Sequence, residues 1–336
     1  MPPLKYDKAF FWTRGLMENF EHISVMREEL VHSLNLKPGD YAVDCTAGGG
    51  GHTRILLDQV GPGGKVFAFD RDAWAQAVLH KRFSAELASG QLTLIQAPFS
   101  DLVPELESHQ VLGRIQGLCA DIGVSSPQLD HAERGFSFAK SGPLDMRMDQ
   151  TRGPTAADLV NESTEEELIR IFRDYGEDPQ ARSVARAILK RRAEKPFAET
   201  TDLANVVAAA SHYKERSRKH PATKVFQALR IAVNAELEEL EILLRDFPRV
   251  LAPGGRCGII SFHSLEDRLV KQGFKHLVDG NKPQFDRHVP ITAAQLDAMY
   301  EKRFQIIKPF PLEPSDQEVE RNPRARSAKL RVIEKL

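Results

Sequence analysis

Short, nearly uninterrupted apolar runs alternate with segments of helical period along the first 130 residues, a rhythm that predicts an α/β protein built on a parallel sheet. Tyr41-Ala42-Val43-Asp44-Cys45 ends in a glycine-rich turn, Thr46 to His52, after which Arg54 to Val60 has helical spacing. Lys65 to Phe69 predicts a second strand ending at Asp70, Ala73 to Ala88 a helix, and Leu92 to Gln96 a third strand closed by Pro98-Phe99-Ser100. A fourth strand, Gln116 to Ile122, runs into Gly123-Val124-Ser125-Ser126-Pro127-Gln128. Strands apolar on both faces require helices on both sides of the sheet.

The alternation then stops. Thr155 to Ala210 predicts helices alone, over Thr164 to Tyr175, Pro179 to Arg192 and Thr201 to Ala210. The α/β rhythm resumes with one long amphipathic helix, Ala222 to Phe247, whose Phe226, Leu229, Leu240 and Leu244 are expected to face the sheet. A tight turn at Leu251 to Gly255 leads to a fifth strand, Arg256 to Phe262, and Phe304 to Lys308 and Ser327 to Val332 are two more strand candidates. The expected organisation is an extension (1–17), a first sheet segment (18–130), an inserted helical unit (131–219) and a second sheet segment (220–336).

Composition narrows the class. No apolar run reaches the length of a membrane span, and the first sixteen residues lack the apolar stretch and cleavage site of a secretory signal, so a cytoplasmic protein without membrane contact is expected. Cys45, Cys119 and Cys257 lie in or beside apolar runs with no second cysteine at C-x-x-C spacing, which predicts buried thiols and no metal. Net charge is −1, yet between Arg182 and Arg230 twelve basic residues stand against four acidic ones. Such an excess is either a solvated helix face or a grip on a polyanion.

The glycine turn between the first strand and helix lets a ligand approach the backbone closely, next to the free N–H groups of a helix start. Thr53 stands where a dinucleotide fingerprint would place its third glycine, so a group smaller than pyrophosphate is expected. Asp70, nineteen residues beyond Gly51, sits where a carboxylate accepts both ribose hydroxyls. Together these features predict an adenosyl cofactor, although Asp44 and Asp70 are also consistent with simple strand ends. Asp121 ends the fourth strand, where open α/β sheets bind ligands. The Gly123-Val124-Ser125-Ser126-Pro127 turn is not a nucleophile elbow, because Pro127 replaces the second glycine and holds Ser126 extended. Its acceptors suit an exocyclic amino group, with Asp121, Ser125 and Ser126 as candidate catalytic residues.

Several strings carry a closer resemblance: His22-x-Ser24-Val25, Asp121-x-Gly123-Val124-Ser125-Ser126-Pro127-Gln128-Leu129-Asp130, Arg134-Gly135-Phe136-Ser137-Phe138, Gly142 to Asp149, Tyr175-Gly176-Glu177, Phe226 to Ile231, Ser261 to Arg268 and Asn322 to Ser327. From about Glu18 to Val332 the chain resembles the RsmH (MraW) family of small-subunit ribosomal RNA methyltransferases. The resemblance implies a Rossmann-like class I fold dependent on S-adenosyl-L-methionine, with an inserted all-helical substrate-recognition domain. It implies methyl transfer to cytidine N4 in the decoding centre of 16S RNA, within an assembled or nearly assembled small subunit, and leaves a homodimer open. Carried over by position, cofactor contacts fall on Gly50, Gly51, His52, Asp70, Phe99, Asp121 and Gln128. Gly49 stands where relatives often carry Arg, and Ala47 where a larger apolar residue is common.

Candidate RNA contacts are Arg134, Arg147, Arg191, Arg192, Lys219, His263, Arg324 and Arg326, with a buried Arg147–Asp149 ion pair as the structural alternative for Arg147. His263 is also consistent with a hydrogen-bonded turn after the fifth strand. Competing classes are a nicotinamide-dependent oxidoreductase, which the loop chemistry disfavours, and an assembly factor that binds cofactor without catalysis. With the basic excess confined to the inserted helices, cofactor site and RNA grip are expected to be separable by mutation.

Overall fold

The computed structural model describes residues 24–211, 220–280 and 302–336, so the N-terminal extension, His22 and Lys219 lie outside the described residues. A seven-stranded sheet is ordered β3-β2-β1-β4-β5-β7-β6. Its strands are β1 Tyr41–Asp44, β2 Lys65–Phe69, β3 Leu92–Ile95, β4 Ile115–Asp121, β5 Leu251–Ser261, β6 Phe304–Leu312 and β7 Lys329–Lys335. β1 to β5 pair in parallel and β7 pairs antiparallel with both β5 and β6. This is the Rossmann-like class I methyltransferase arrangement, in which the strand order reverses between β1 and β4 and opens a crevice above their carboxyl ends.

Side chains alternate between the two faces, as strand geometry demands. Val43, Leu118, Ala120, Cys257 and Ile259 join one apolar cluster, while Ala42, Cys119 and Ile260 join the other. All three cysteines are buried in these layers, and burial pushes their thiols well above the usual range. A third cluster belongs to the insertion and includes Leu144, Val160, Phe172, Val184, Ile188 and Leu203.

Two helices differ from expectation. The segment read as one helix from Ala222 to Phe247 breaks into α1 (Ala222–Asn234) and α2 (Glu236–Val250), with Ala235 left-handed at φ 49°. Phe226 and Leu229 consequently pack in the insertion core, whereas Leu240 and Leu244 pack against the sheet. Asn234 fixes the break: its amide donates to Met146 O and Arg230 O and accepts from Met148 N. These bonds offset the roughly 1–2 kcal/mol that an L-residue spends in the left-handed region. The helix expected over Ala73 to Ala88 likewise divides at Phe83, whose ring turns inward and is fully buried. No helix among the described residues is long and apolar enough to cross a membrane.

Candidate functional site

The crevice above the carboxyl ends of the parallel strands is a cavity of about 320 Å³, within the range of small-molecule sites. Its floor is the turn after β1. Asp44 accepts from Thr46 N at 3.1 Å and Thr53 Oγ1 at 2.6 Å, and Thr46 Oγ1 accepts from Asp121 N at 2.7 Å. Gly48 and Gly49 line the cavity together with His52. Gly50 and Gly51 stand behind that lining. Gly50 has φ 81° and a Cβ there would meet the Phe83 ring at 2.4 Å; one on Gly51 would meet Ser24 Oγ at 1.8 Å. Their glycine character therefore answers to packing beneath the loop.

Asp70 lines the cavity and braces the loop, its carboxylate accepting from Gly48 N and Asp72 N at 2.8 Å each. Burial pushes its pKa up to about 6, against the pull of those two hydrogen bonds. Phe99, after β3, lines the same end. His52 is buried, and its Nε2 lies 3.1 Å from Val25 O. A carbonyl only accepts, so Nε2 carries the proton and Nδ1 faces Asp121 Oδ2 at 4.0 Å. Burial lowers the His52 pKa, keeping the ring neutral.

Asp121 is the most strained electrostatic feature of the cavity. Its pKa is raised well above the carboxylate range, first by burial and then by the charges of Asp44, Glu266 and Glu318. Oδ1 is buried with no hydrogen-bond partner among the described residues. An unpartnered buried acceptor costs free energy unless a ligand donates to it or its charge is matched by a cation. A cavity with a ribose-type carboxylate at one end and an orphaned carboxyl at the strand-four end fits an adenosyl cofactor bearing a positive sulfonium centre.

Ser125 and Ser126 line the cavity, and Ser125 forms a capping box with Gln128 at the helix Ser126–Asp130. Gln128 also lines it, and donates from Nε2 to Asp72 Oδ2 at 3.0 Å. Asp72 is a buried hub that also accepts from Trp74 N at 3.0 Å and Arg134 Nη1 at 2.7 Å. Arg134 Nη2 in turn donates to Arg147 O and Met148 O, so both family loops are tied to the end of β2.

Most of the expected RNA contacts prove to have partners within the chain, though of those described only Arg134 is buried. Arg134 is 8% exposed and committed to Asp72. Arg147 pairs with Asp145 through Nε at 2.8 Å and Nη2 at 3.0 Å, not with Asp149, which takes Arg152 instead. Arg191 bonds Lys195 O and Asp202; Arg192 bonds Val160 O and Ser163 O, satisfying carbonyls at a helix end. His263 is the N-cap of the helix Ser264–Asp279. Arg324 lines the cavity and pairs with Asp130 at 2.8 Å. Arg326 is exposed and has no ion-pair partner among the described residues.

Sequence reasoning missed Arg71, Met148, Arg230, Glu236, Glu239 and Asn322, all of which line the cavity. Arg230 and Glu236 are six residues apart, a spacing that an unbroken helix puts on different faces, so only the break at Ala235 brings them together. Arg230 Nε and Nη2 each donate to Glu236 at 2.8 Å, and Nη2 lies 3.9 Å from Glu266 Oε1. Glu236, His263 and Glu266 bring ligand atoms within 4.8 Å of one another, but the guanidinium already engages both Glu236 oxygens, so the group is an ion-pair network. Arg82 Nη1 donates to Gly49 O at 2.6 Å and braces the loop there.

Among solved structures, an rRNA-methylase described as putative from Clostridium thermocellum matches with TM-score 0.42 and 12% identity, over 94% of this chain and 100% of that one. A SAM-dependent O-methyltransferase from Thermotoga maritima matches with TM-score 0.39 and 11% identity, over 95% and 68%. Fibrillarin from Aeropyrum pernix, with natively bound S-adenosyl-L-methionine, matches with TM-score 0.35 and 10% identity, over 88% and 67%. Likenesses this distant decide neither substrate nor mechanism. A sequence profile described as the MraW methylase family, by contrast, matches residues 19–336, nearly the whole chain. The chain belongs to the MraW methylase family and is an S-adenosylmethionine-dependent methyltransferase.

Proposed function

We propose that the protein methylates N4 of a cytidine in the decoding centre of small-subunit ribosomal RNA, on an assembled or nearly assembled subunit. The observation that carries the reading is the buried, unpartnered Oδ1 of Asp121 at the end of β4, beside the cofactor loop and the Gly123–Gln128 turn. An exocyclic amine is a poor nucleophile while its lone pair is delocalised into the ring, and acceptors that hold its hydrogens localise that pair. Asp121 supplies the principal acceptor. Ser125 is engaged by the helix it caps, so its part is to set the turn.

S-adenosylmethionine supplies an electrophilic methyl group, and the chain's own contribution is alignment and electrostatics. Asp70 would hold the ribose, the Gly48–Gly49 backbone the methionine moiety, and Phe99 the adenine. Asp121, once ionised, would orient the target amine for in-line attack and accept the proton the nitrogen loses as the N–C bond forms and the donor's S–C bond breaks, its electron pair returning to sulfur; His52, pinned by Val25, faces the same carboxyl. Phosphates are held outside the cavity, by exposed cations such as Arg326 and the basic residues of the insertion that have no internal partner. The test is labelled-methyl transfer to small subunits from cells lacking the protein, followed by nucleoside mass spectrometry. N4-methylcytidine from the wild type and none from Asp121→Asn is expected; label at C5, on ribose or nowhere defeats the proposal.

A further inference from the structure

Amine acceptors alone leave a problem of selectivity. Cytosine presents an amine, a ring-nitrogen acceptor and a carbonyl in succession along one edge; adenine presents an amine, a ring-nitrogen acceptor and then a C–H. Asp121 and the turn after β4 therefore hold either base equally well. Discrimination requires a donor on the far side of the amine, placed where cytosine carries O2 and adenine carries hydrogen.

Of the described arginines that line the cavity, Arg71, Arg230 and Arg324, it is Arg230 that a bidentate carboxylate pair holds in plane. Arg230 lines it from the last turns of α1, at the seam between the insertion and the sheet. Glu236 grips its Nε and Nη2 in a bidentate pair at 2.8 Å, with side-chain exposures of 16% for Arg230 and 3% for Glu236. Glu266, 3.9 Å from Nη2, accepts from Phe262 N at 2.8 Å and so ties the pair to the end of β5, next to the β4 end that carries Asp121. His263 Nε2 lies 3.0 Å from Glu266 Oε1 and completes the group. Burial opposes charge on Arg230, but Glu236 and Glu266 outweigh it and raise the guanidinium pKa. The remaining nitrogen, Nη1, makes no hydrogen bond to a described residue, leaving two donors for a ligand.

We propose that Arg230 reads the target base by donating from Nη1 to its O2 carbonyl, with Glu236 as the positioning residue that fixes the guanidinium plane; the inference rests on the cytosine-N4 reading above. An adenine in the same place presents a C–H to a desolvated donor that has lost its water. Arginine suits the task better than lysine, because its planar fork is held by two bonds on one edge while the other stays free.

The test compares wild type, Arg230→Lys, Arg230→Met and the charge-balanced double variant Arg230→Met/Glu236→Gln. Substrates are small subunits carrying cytosine or adenine at the target position. Single-turnover methyl transfer, S-adenosylmethionine affinity by calorimetry and thermal unfolding are measured for each. Loss of the O2 contact should lower kcat/KM on cytosine about a hundredfold, leave transfer to adenine unchanged and so shrink the cytosine preference by the same factor. Cofactor affinity should move less than threefold, and Arg230→Lys should recover part of the preference. Because the double variant removes both buried charges, it separates base reading from any folding defect of the single change.

Cofactor affinity falling in step with the rate would make Arg230 a cofactor contact and overturn the inference. Equal losses on cytosine and adenine in the folded double variant would overturn it as well. Wild-type transfer to an atom other than N4 would overturn the parent reading, an outcome visible before any Arg230 variant is made.

Discussion

Asp70 links cofactor binding to pH. Its pKa of about 6 means that the free site holds a proton there through mildly acidic conditions, against an ordinary value of 3.8. A raised folded-state pKa contributes stability that is fully present below pH 3.8 and lost as pH rises through about 6. That difference corresponds to about 3 kcal/mol, reduced by whatever water in the cavity screens the charge. A ribose that donates two hydroxyls to Asp70 favours the ionised form and draws the pKa back down. Affinity for S-adenosylmethionine should therefore weaken about tenfold between pH 7.5 and pH 5, and by about two orders of magnitude once the pH is below the bound-state pKa. Isothermal calorimetry at pH 6, in buffers of different ionisation enthalpy, should register release of about half a proton per cofactor bound. Asp70→Asn should bind weakly with no acid limb and no Asp70-linked release. A flat affinity from pH 5 to 7.5 in the wild type, or an acid limb surviving in Asp70→Asn, would refute the reasoning.

Other perturbations separate the interior from the surface. Gly50→Ala combines positive φ with a clash against Phe83 and should cost about 3 kcal/mol in denaturant unfolding. Arg134→Met leaves the buried Asp72 carboxylate without its cation; a loss of about 3–5 kcal/mol is expected, with much of it recovered in Arg134→Met/Asp72→Asn. Arg192→Ala should lower stability by about 1–2 kcal/mol, because it uncovers Val160 O and Ser163 O, and leave the salt dependence of RNA binding unchanged. Arg326→Ala should do the reverse, weakening RNA binding and reducing the slope of log K against log salt by about one.

The positions of the parallel strands and the glycine turn were legible because each strand is apolar on both faces and bounded by turn residues, a pattern with few alternatives. Asp70 and Asp121 were legible for the same reason: a strand end fixes position. The basic residues were not. Arg134, Arg191 and Arg192 resemble surface cations in composition, and only tertiary contacts reveal that their donors go to Asp72, Asp202 and the Val160 and Ser163 carbonyls. Arg230 and Glu236 were hidden differently. Helical periodicity runs smoothly through Ala235, and no local signal marks an alanine for the left-handed region, since the cause is Asn234 bonding to a loop more than eighty residues earlier.

Those buried contacts change the expected independence of cofactor site and RNA grip. Asp72 N donates to Asp70, the carboxylate proposed to meet the ribose, while its side chain holds Gln128 and Arg134. Arg134 then fixes the backbone of Arg147 and Met148, and Met148 lines the cavity and accepts from Arg71 Nη2. The loop proposed to front the substrate and the residue proposed to hold the cofactor therefore hang on one buried node. A change at Asp72 or Arg134 perturbs both affinities together, by displacing Asp70 on one side and Met148 on the other. Exposed cations share no such node. Separable effects are expected at Arg326 and coupled ones at Arg134, so the distinction between a surface grip and an internal brace is measurable as the presence or absence of a change in cofactor affinity.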